Sequence, residues 1–333
     1  PNNESDIKFE TYASMNIQDA IFEEFRRMDG LPKSVRREIK KLEMVENKMI
    51  NNLTKKEIDN LCKWAKKYEI EDLDTEEKIL SIILDIKELK IVSDEIDYLP
   101  NEIFKLTNLE SFYIDCYSLA EFPDGISNLT KLKTLNFIYC EELIELKEFS
   151  KEIFNLKNLE NIRLSYFNKF KGYYKKINDL DNIKNIELEI FDFDGFEFPK
   201  EILKLSKLRT LEMYGDNGYM KELPAEIENL INLKKLSIAV EILKCLPKEI
   251  GSLINLEYLE IDSEFEDFNG IPKEIGNLIN LKTLEIGQCE GLKELPKEIF
   301  YLPNLENLEI NCEITEIPKD IKNLVNLKNF NIW

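Results

Sequence analysis

Histidine is missing altogether from the 333 residues. Its absence removes the commonest general base, the commonest metal ligand, and the Ser-His and Cys-His nucleophile pairs. Cysteine is scarce: there are six, none in a Cys-x-x-Cys, which makes neither a disulfide scaffold nor a zinc site. No run approaches about 18 uncharged apolar residues, so no membrane-spanning helix is expected. A Gly-rich phosphate loop, a G-x-S-x-G elbow and a metal-ligand motif are all lacking. Hence no enzyme activity, cofactor or metal is expected. Positive charge is also short, with 45 Lys and Arg against 65 Asp and Glu, a net charge of −20. Such a surface repels phosphate backbones and anionic lipid, which leaves a basic protein or peptide as the favoured partner class. Plain solubility is the bland alternative. The opening residues, P-N-N-E-S-D, hold no initiating Met and no signal h-region, so the expectation is a processed or partial chain. Localisation stays open, with reduced cysteines leaning toward the cytoplasm.

What is present begins with a helical block over 1–85. Ile17, Ala20, Ile21, Phe25 and Met28 fall on one helical face, and Val35, Ile39, Leu42 and Met49 on a second. Gly30-Leu31-Pro32 breaks the two. A third helix is expected after Thr54, with Glu57 completing a capping box, and a fourth after Thr75. Two readings stand side by side: a cap for whatever follows, or a small bundle with a partner of its own.

From residue 86 to 333 the chain repeats itself. Residues 247–286 state one sentence twice: Pro-Lys-Glu-Ile-Gly, then Leu-Ile-Asn-Leu, then Leu-x-x-Leu-x-Ile, with the second copy starting at Pro272. A period of this length marks a solenoid. The strand pattern is readable eleven times, starting at Ile86, Leu109, Leu132, Leu159, Ile183, Leu208, Leu233, Leu256, Leu281, Leu305 and Leu327. Prolines at 100, 123, 199, 224, 247, 272, 296 and 318 open the outer segments, and Ser150 and Tyr174 take that slot in the two repeats between.

With these residues in view, the chain resembles the leucine-rich repeat family, in its L-P-x-E-I-x-x-L-x-N-L-x-x-L-x-I form. That form is common in bacterial repeat proteins and is similar to the intracellular repeats of plant resistance proteins; residues 281–296 look especially like the plant type. The Ile-, Lys- and Asn-heavy composition also associates with an AT-rich bacterial genome. The resemblance implies an α/β solenoid: a horseshoe with parallel strands on the concave face and short helices or turns on the convex one. One departure stands out. Where the family places an Asn shortly after the strand, this chain has Cys116, Cys140, Phe167, Phe191, Asp216, Glu241, Glu264, Cys289 and Cys312. Cysteine donates weakly there. The turns at Cys116 and Cys312 read as shorter by one residue. Phe167 and Phe191 are expected to be packing ribs with Phe170, Phe193 and Phe198 beside them, and 214–220 and 262–270 to be the more mobile loops. Cys116 with Cys140, and Cys289 with Cys312, fall on neighbouring rungs. They read either as inert buried thiols or as a redox pair or metal clip.

Strand side chains alternate, so the residues between the leucines face the concave surface. The central column reads Tyr113, Asn136, Arg163, Glu187, Glu212, Ser237, Glu260, Glu285, Glu309 and Asn331. Like charges on adjacent strands destabilise by up to about 1 kcal/mol per pair, so Glu260, Glu285 and Glu309 stacked together hint at a basic ligand. An outer column alternates in sign through Glu110, Lys133, Glu160 and Lys184, and again through Glu257, Lys282, Glu306 and Lys328, which suits ladders of exposed ion pairs. Tyr214, Tyr258 and Trp333 flank the acids as interface-type anchors. The candidate partner-binding set is therefore Glu187, Glu212, Tyr214, Tyr258, Glu260, Asp262, Glu285 and Glu309. Carboxylate pairs at glycosidase spacing arise here by periodicity alone, on an open face with nothing to raise a pKa. The chain stops mid-strand at Asn-Phe-Asn-Ile-Trp, an uncapped edge through which self-association is conceivable. The expected function is a non-enzymatic protein-interaction scaffold. Its rivals are the substrate-recognition arm of a larger enzyme, of the ubiquitin-ligase-effector kind, and a secreted or surface adhesive virulence protein.

Overall fold

The computed structural model describes residues 53–76, 78–79, 86–120, 124–140, 152–165, 174–189, 198–215, 220–240, 243–263, 268, 270–289, 291–314, 316 and 318–332. The first two expected helices, most of the fourth, the Phe167, Phe170, Phe191 and Phe193 ribs, Ser150 and Trp333 lie outside these residues. So do the middles of the loops at 214–220 and 262–270.

All eleven rungs are found. The strands are β1 (Glu88–Val92), β2 (Ser111–Asp115), β3 (Thr134–Ile138), β4 (Asn161–Leu164), β5 (Asn185–Glu189), β6 (Thr210–Gly215), β7 (Lys235–Val240), β8 (Tyr258–Asp262), β9 (Thr283–Gly287), β10 (Asn307–Asn311) and β11 (Asn329–Ile332). They form one parallel sheet in strict chain order, each strand paired only with its sequence neighbours. Burial alternates along the strands, intermediate then buried, because the repeated Leu and Ile point into the solenoid and the variable residues out of it. A buried Leu contributes about 1.5–3 kcal/mol, and every rung adds several.

The outer segments are 3-10 helices of about one and a half turns rather than α-helices. In Pro-Lys-Glu-Ile the Ile250 amide donates to the Pro247 carbonyl at 3.1 Å, and the Leu253 amide to Ile250 at 3.1 Å, the i to i+3 pattern. Proline, with φ preset and no N–H to lose, stands immediately before most of them. In the second repeat that place belongs to Gly125, at φ 117°, and in the fourth Tyr174 lies inside the helix instead of before it. Close stacking sets the glycine of Pro-Lys-Glu-Ile-Gly: a Cβ on Gly251 would sit 2.5 Å from the Glu274 carbonyl oxygen of the next rung.

The Asn missing after the strand has a counterpart before it. In the Leu-x-Asn-Leu segment, Asn158, Asn182, Asn232, Asn255, Asn280, Asn304 and Asn326 each donate Nδ2 to a backbone carbonyl of the preceding rung, at 2.7–2.8 Å. This ladder satisfies carbonyls that the strand pairing leaves open. The residue just before each Asn points out, and in the later rungs it is apolar: Ile231, Ile254, Ile279 and Val325 are all at least half exposed.

One α-helix, α1 (Lys55–Lys67), lies against the first repeats. The expected capping box is present, with the Thr54 amide donating to Glu57 at 2.7 Å and the Glu57 amide to Thr54 Oγ1 at 3.4 Å. Ile58, Leu61, Trp64 and Ala65 form its buried face. Trp64 Nε1 donates to the Tyr98 carbonyl at 3.1 Å and Tyr68 to Asp97 at 2.5 Å, so polar atoms at the seam are used. Lys105 reaches back to Glu57 at 2.7 Å, and with Thr54 it holds that carboxyl at about 2. Beyond α1, the Thr75 hydroxyl accepts from the Lys78 amide at 3.2 Å, the helix start expected there.

Candidate interaction face

Strand register aligns the concave columns as read. The central column runs Lys90, Tyr113, Asn136, Arg163, Glu187, Glu212, Ser237, Glu260, Glu285, Glu309, Asn331 without a slip. The outer charged column forms the expected pairs: Glu110–Lys133 at 2.5 Å, Glu160–Lys184 at 2.8 Å, Glu257–Lys282 at 2.7 Å and Glu306–Lys328 at 2.7 Å. Lys234 adds a second cation to Glu257 at 2.7 Å, and the two lysines hold its carboxyl at about 2. This column neutralises itself.

The eight candidate residues all face the concave side on β5, β6, β8, β9 and β10, and they fall into two groups. Glu187 and Glu212 have cations. Arg163 Nε lies 3.2 Å from Glu187, and Lys235 Nζ 2.6 Å from Glu212. Tyr214 also donates to Glu212 at 2.6 Å. Burial nonetheless raises the Glu187 carboxyl above its ordinary value. Around Glu260, Glu285 and Glu309 the contacts are neutral. Ser237, wholly buried, donates to Glu260. Tyr258 donates to Glu285 at 2.6 Å, with Glu260 at 3.3 Å, and Asn331 donates to Glu309 at 3.3 Å. The Asp262 carboxylate lies over Gly287, 2.9 Å from where a Cβ would be. Both tyrosine hydroxyls are pushed up, first by burial and then by the carboxylates they serve. The tyrosines are half-buried hydrogen-bond donors rather than free-standing anchors.

Lys235 shows how this face holds a cation: its ammonium sits between the Glu212 carboxylate and the Tyr258 ring, 5.1 Å from the centroid. Sequence reading missed Glu189. It is buried at the end of β5 on the concave side, in register with Tyr214, where Arg163 Nη2 at 2.5 Å and the buried Ser165 hydroxyl at 2.5 Å both meet it. The only signal was a second Glu in Glu187-Leu188-Glu189, at a position that its nearest following rungs fill with Tyr214 and Ala239. Among the described residues no group of three His, Cys, Asp or Glu is placed to hold a metal ion, and no helix is long and apolar enough to cross a membrane.

Comparison with known proteins agrees with this geometry. The family model of a leucine-rich repeat region matches residues 240–333. The fold is that of a leucine-rich-repeat solenoid. A leucine-rich-repeat protein of Leptospira interrogans is 27% identical with a TM-score of 0.59, over 77% of this chain and 62% of that one. A TDR receptor is 20% identical with a TM-score of 0.52, over 76% of this chain and 48% of that one. The Toll–Spatzle complex of Drosophila contains a chain 14% identical with a TM-score of 0.54, over 74% of this chain and 36% of that one. The chain thus spans less than two thirds of the length of each of these three proteins. No curated protein sequence matches it.

Proposed function

We propose that this chain is a non-enzymatic recognition scaffold whose concave face binds a basic segment of another protein. Leucine-rich-repeat solenoids serve protein–protein contact in general. What carries the finer reading is the contrast within the central column. Glu187 and Glu212 have their own cations, whereas the contacts of Glu260, Glu285 and Glu309 on three rungs come from hydroxyls and an amide. A partner's Lys or Arg supplies the charge those rungs lack, and the cation between carboxylate and tyrosine ring at Lys235 is the template for its seat. Tyr214, Tyr258 and Asp262 border the seat, and α1 serves as the N-terminal cap of the scaffold. The test is a binding titration with a Lys/Arg-rich peptide. Reversal of Glu260, Glu285 and Glu309 to Lys is expected to weaken it at least about tenfold, and added salt to weaken the parent's binding within the screening length of about 8 Å. Equal affinity of parent and triple variant removes the proposal.

A further inference from the structure

Cys289 and Cys312 are placed differently from Cys116 and Cys140. Cys289 follows β9 and Cys312 follows β10. Because Gly287 pairs with Asn311, Cys312 falls opposite Gln288, one step short of Cys289. Gln288 makes up the step: it turns through the left-handed region at φ 51°, an uncommon conformation for a residue with a side chain, and Cys289 comes back into the interior. Both sulfurs then sit at the carbonyl end of one strand. Cys289 Sγ lies 3.1 Å from the Gly287 oxygen, and Cys312 Sγ lies 3.6 Å from that of Ile286. The two thiols, both buried and on neighbouring rungs, thus donate to adjacent carbonyls of the same strand.

Cys116 and Cys140 use the same parts in the opposite order, with the left-handed residue, Tyr139, on the second rung. There Cys140 meets the backbone of Cys116, and burial holds the two thiols at about 11 and about 12. At the later pair the thiols act on each other: Cys289 holds Cys312 below its usual value, while its neighbour and burial push Cys289 far up. Cys312 is thus the more acidic of two buried thiols that face neighbouring carbonyls of one strand, and an acidic thiol beside a second thiol is what disulfide formation needs.

We propose that Cys289 and Cys312 are a redox modification site that forms a disulfide stapling the β9 rung to the β10 rung. Adjacent strands stand about 4.8 Å apart, and the left-handed turn at Gln288 brings both sulfurs to neighbouring carbonyls of one strand, an arrangement a rung-to-rung disulfide can span. The co-reactant is a peroxide. Cys312 gives up its proton and, as the thiolate, attacks one peroxide oxygen, forming the S–O bond of a sulfenic acid as the O–O bond breaks; the other oxygen leaves as hydroxide and takes up the proton that Cys312 released, becoming water. Cys289 sulfur then attacks Cys312 sulfur, giving the S–S bond. The sulfenic hydroxyl takes up the Cys289 proton and leaves as a second water. Two thiols lose two electrons and the peroxide gains them. The bond joins the strands that carry Glu285 and Glu309, yet the inference stands whatever the concave face binds.

The experiment is limited oxidation of the reduced full chain with hydrogen peroxide, followed by intact mass, thiol titration and peptide mapping. The expected result is loss of two hydrogens, a fall from six titratable thiols to four, and one cross-linked peptide pair holding Cys289 and Cys312. Cys312→Ser and Cys289→Ser should each abolish the cross-link, and Cys116→Ser should leave it. Six surviving thiols, or a disulfide that maps to any other pair, overturns the proposal. Mapping the unsubstituted chain decides the matter even where a serine variant folds poorly.

Discussion

The first five rungs and the last five share their buried residues and differ in nearly everything else. Along the outward turn column the early repeats show Thr107, Thr130, Lys157, Asp181 and Ser206, and the later ones show Ile231, Ile254, Ile279, Pro303 and Val325. On the concave side the early centre is Lys90, Tyr113, Asn136 and Arg163, with a cation over the Tyr113 ring at 4.7 Å, whereas the later centre is mostly glutamate. Charge in the early half is settled internally, and most tightly where Arg163 faces Glu187 and the buried Glu189. In the later half the central carboxylates lean on neutral donors. A solenoid lets each rung fold on its neighbours alone, so the outward letters are free to diverge while the inward ones are not.

The largest expected effect breaks the early half. Arg163→Ala strands Glu189, a buried carboxylate with Ser165 as its remaining partner, and should cost about 3 kcal/mol, read as a lower midpoint in urea unfolding. Loss below about 1 kcal/mol would mean that water reaches Glu189 and that the two halves are not differently wired. The next expected effect breaks the later half by packing alone. Gly251→Ala forces a methyl against the Glu274 carbonyl and should cost about 1–3 kcal/mol in the same assay, while an Ala at Gly270, which meets nothing within 4 Å, should cost far less.

How much of this was legible follows from the same split. Leu-x-x-Leu-x-Leu and its prolines locate every strand, because a residue that must be buried has few alternatives. The concave columns follow from strand alternation without further information. The Leu-x-Asn-Leu amides, by contrast, were present in most repeats as letters, but their task depends on where the carbonyl of the previous rung lies. Glu189, Ser165 and the contact of the Cys289 and Cys312 thiols depend on offsets of one residue between turns of unequal length. Tyr214 and Tyr258 were legible as aromatics near acids. Their use as donors was not, since a tyrosine ring beside a glutamate reads equally as packing.

Acid separates the columns more finely. Glu257 and Glu57 are held at about 2, below an unfolded glutamate near 4.3, so the stability they bring is complete above that value and is lost as pH falls toward 2. Glu187 has the opposite sign. Its carboxyl is raised by burial, so the folded state takes up its proton before the unfolded chain does, and stability grows as pH falls from neutrality toward the ordinary glutamate range. A Glu187→Gln variant should therefore show a flatter unfolding midpoint between pH 7 and 5 than the parent, and Glu257→Gln a shallower loss below pH 4.5. Identical pH profiles for Glu187→Gln and the parent would place Glu187 with the solvent-facing ladder after all.

The smallest expected effect concerns the later carboxylates themselves. Glu285→Gln removes the middle charge of three on adjacent strands and keeps an oxygen for Tyr258. Relief of two like-charge neighbours should leave stability unchanged or raise it by up to about 1 kcal/mol at low salt, fading as salt is added. Glu212→Gln, which takes a carboxylate from Lys235, should move stability the other way by a similar amount. The pair of variants is the sharpest probe of the division, because both lie in one column three rungs apart and differ only in what answers the charge. A chain that keeps repulsion it could relieve by one substitution holds those carboxylates for something other than folding.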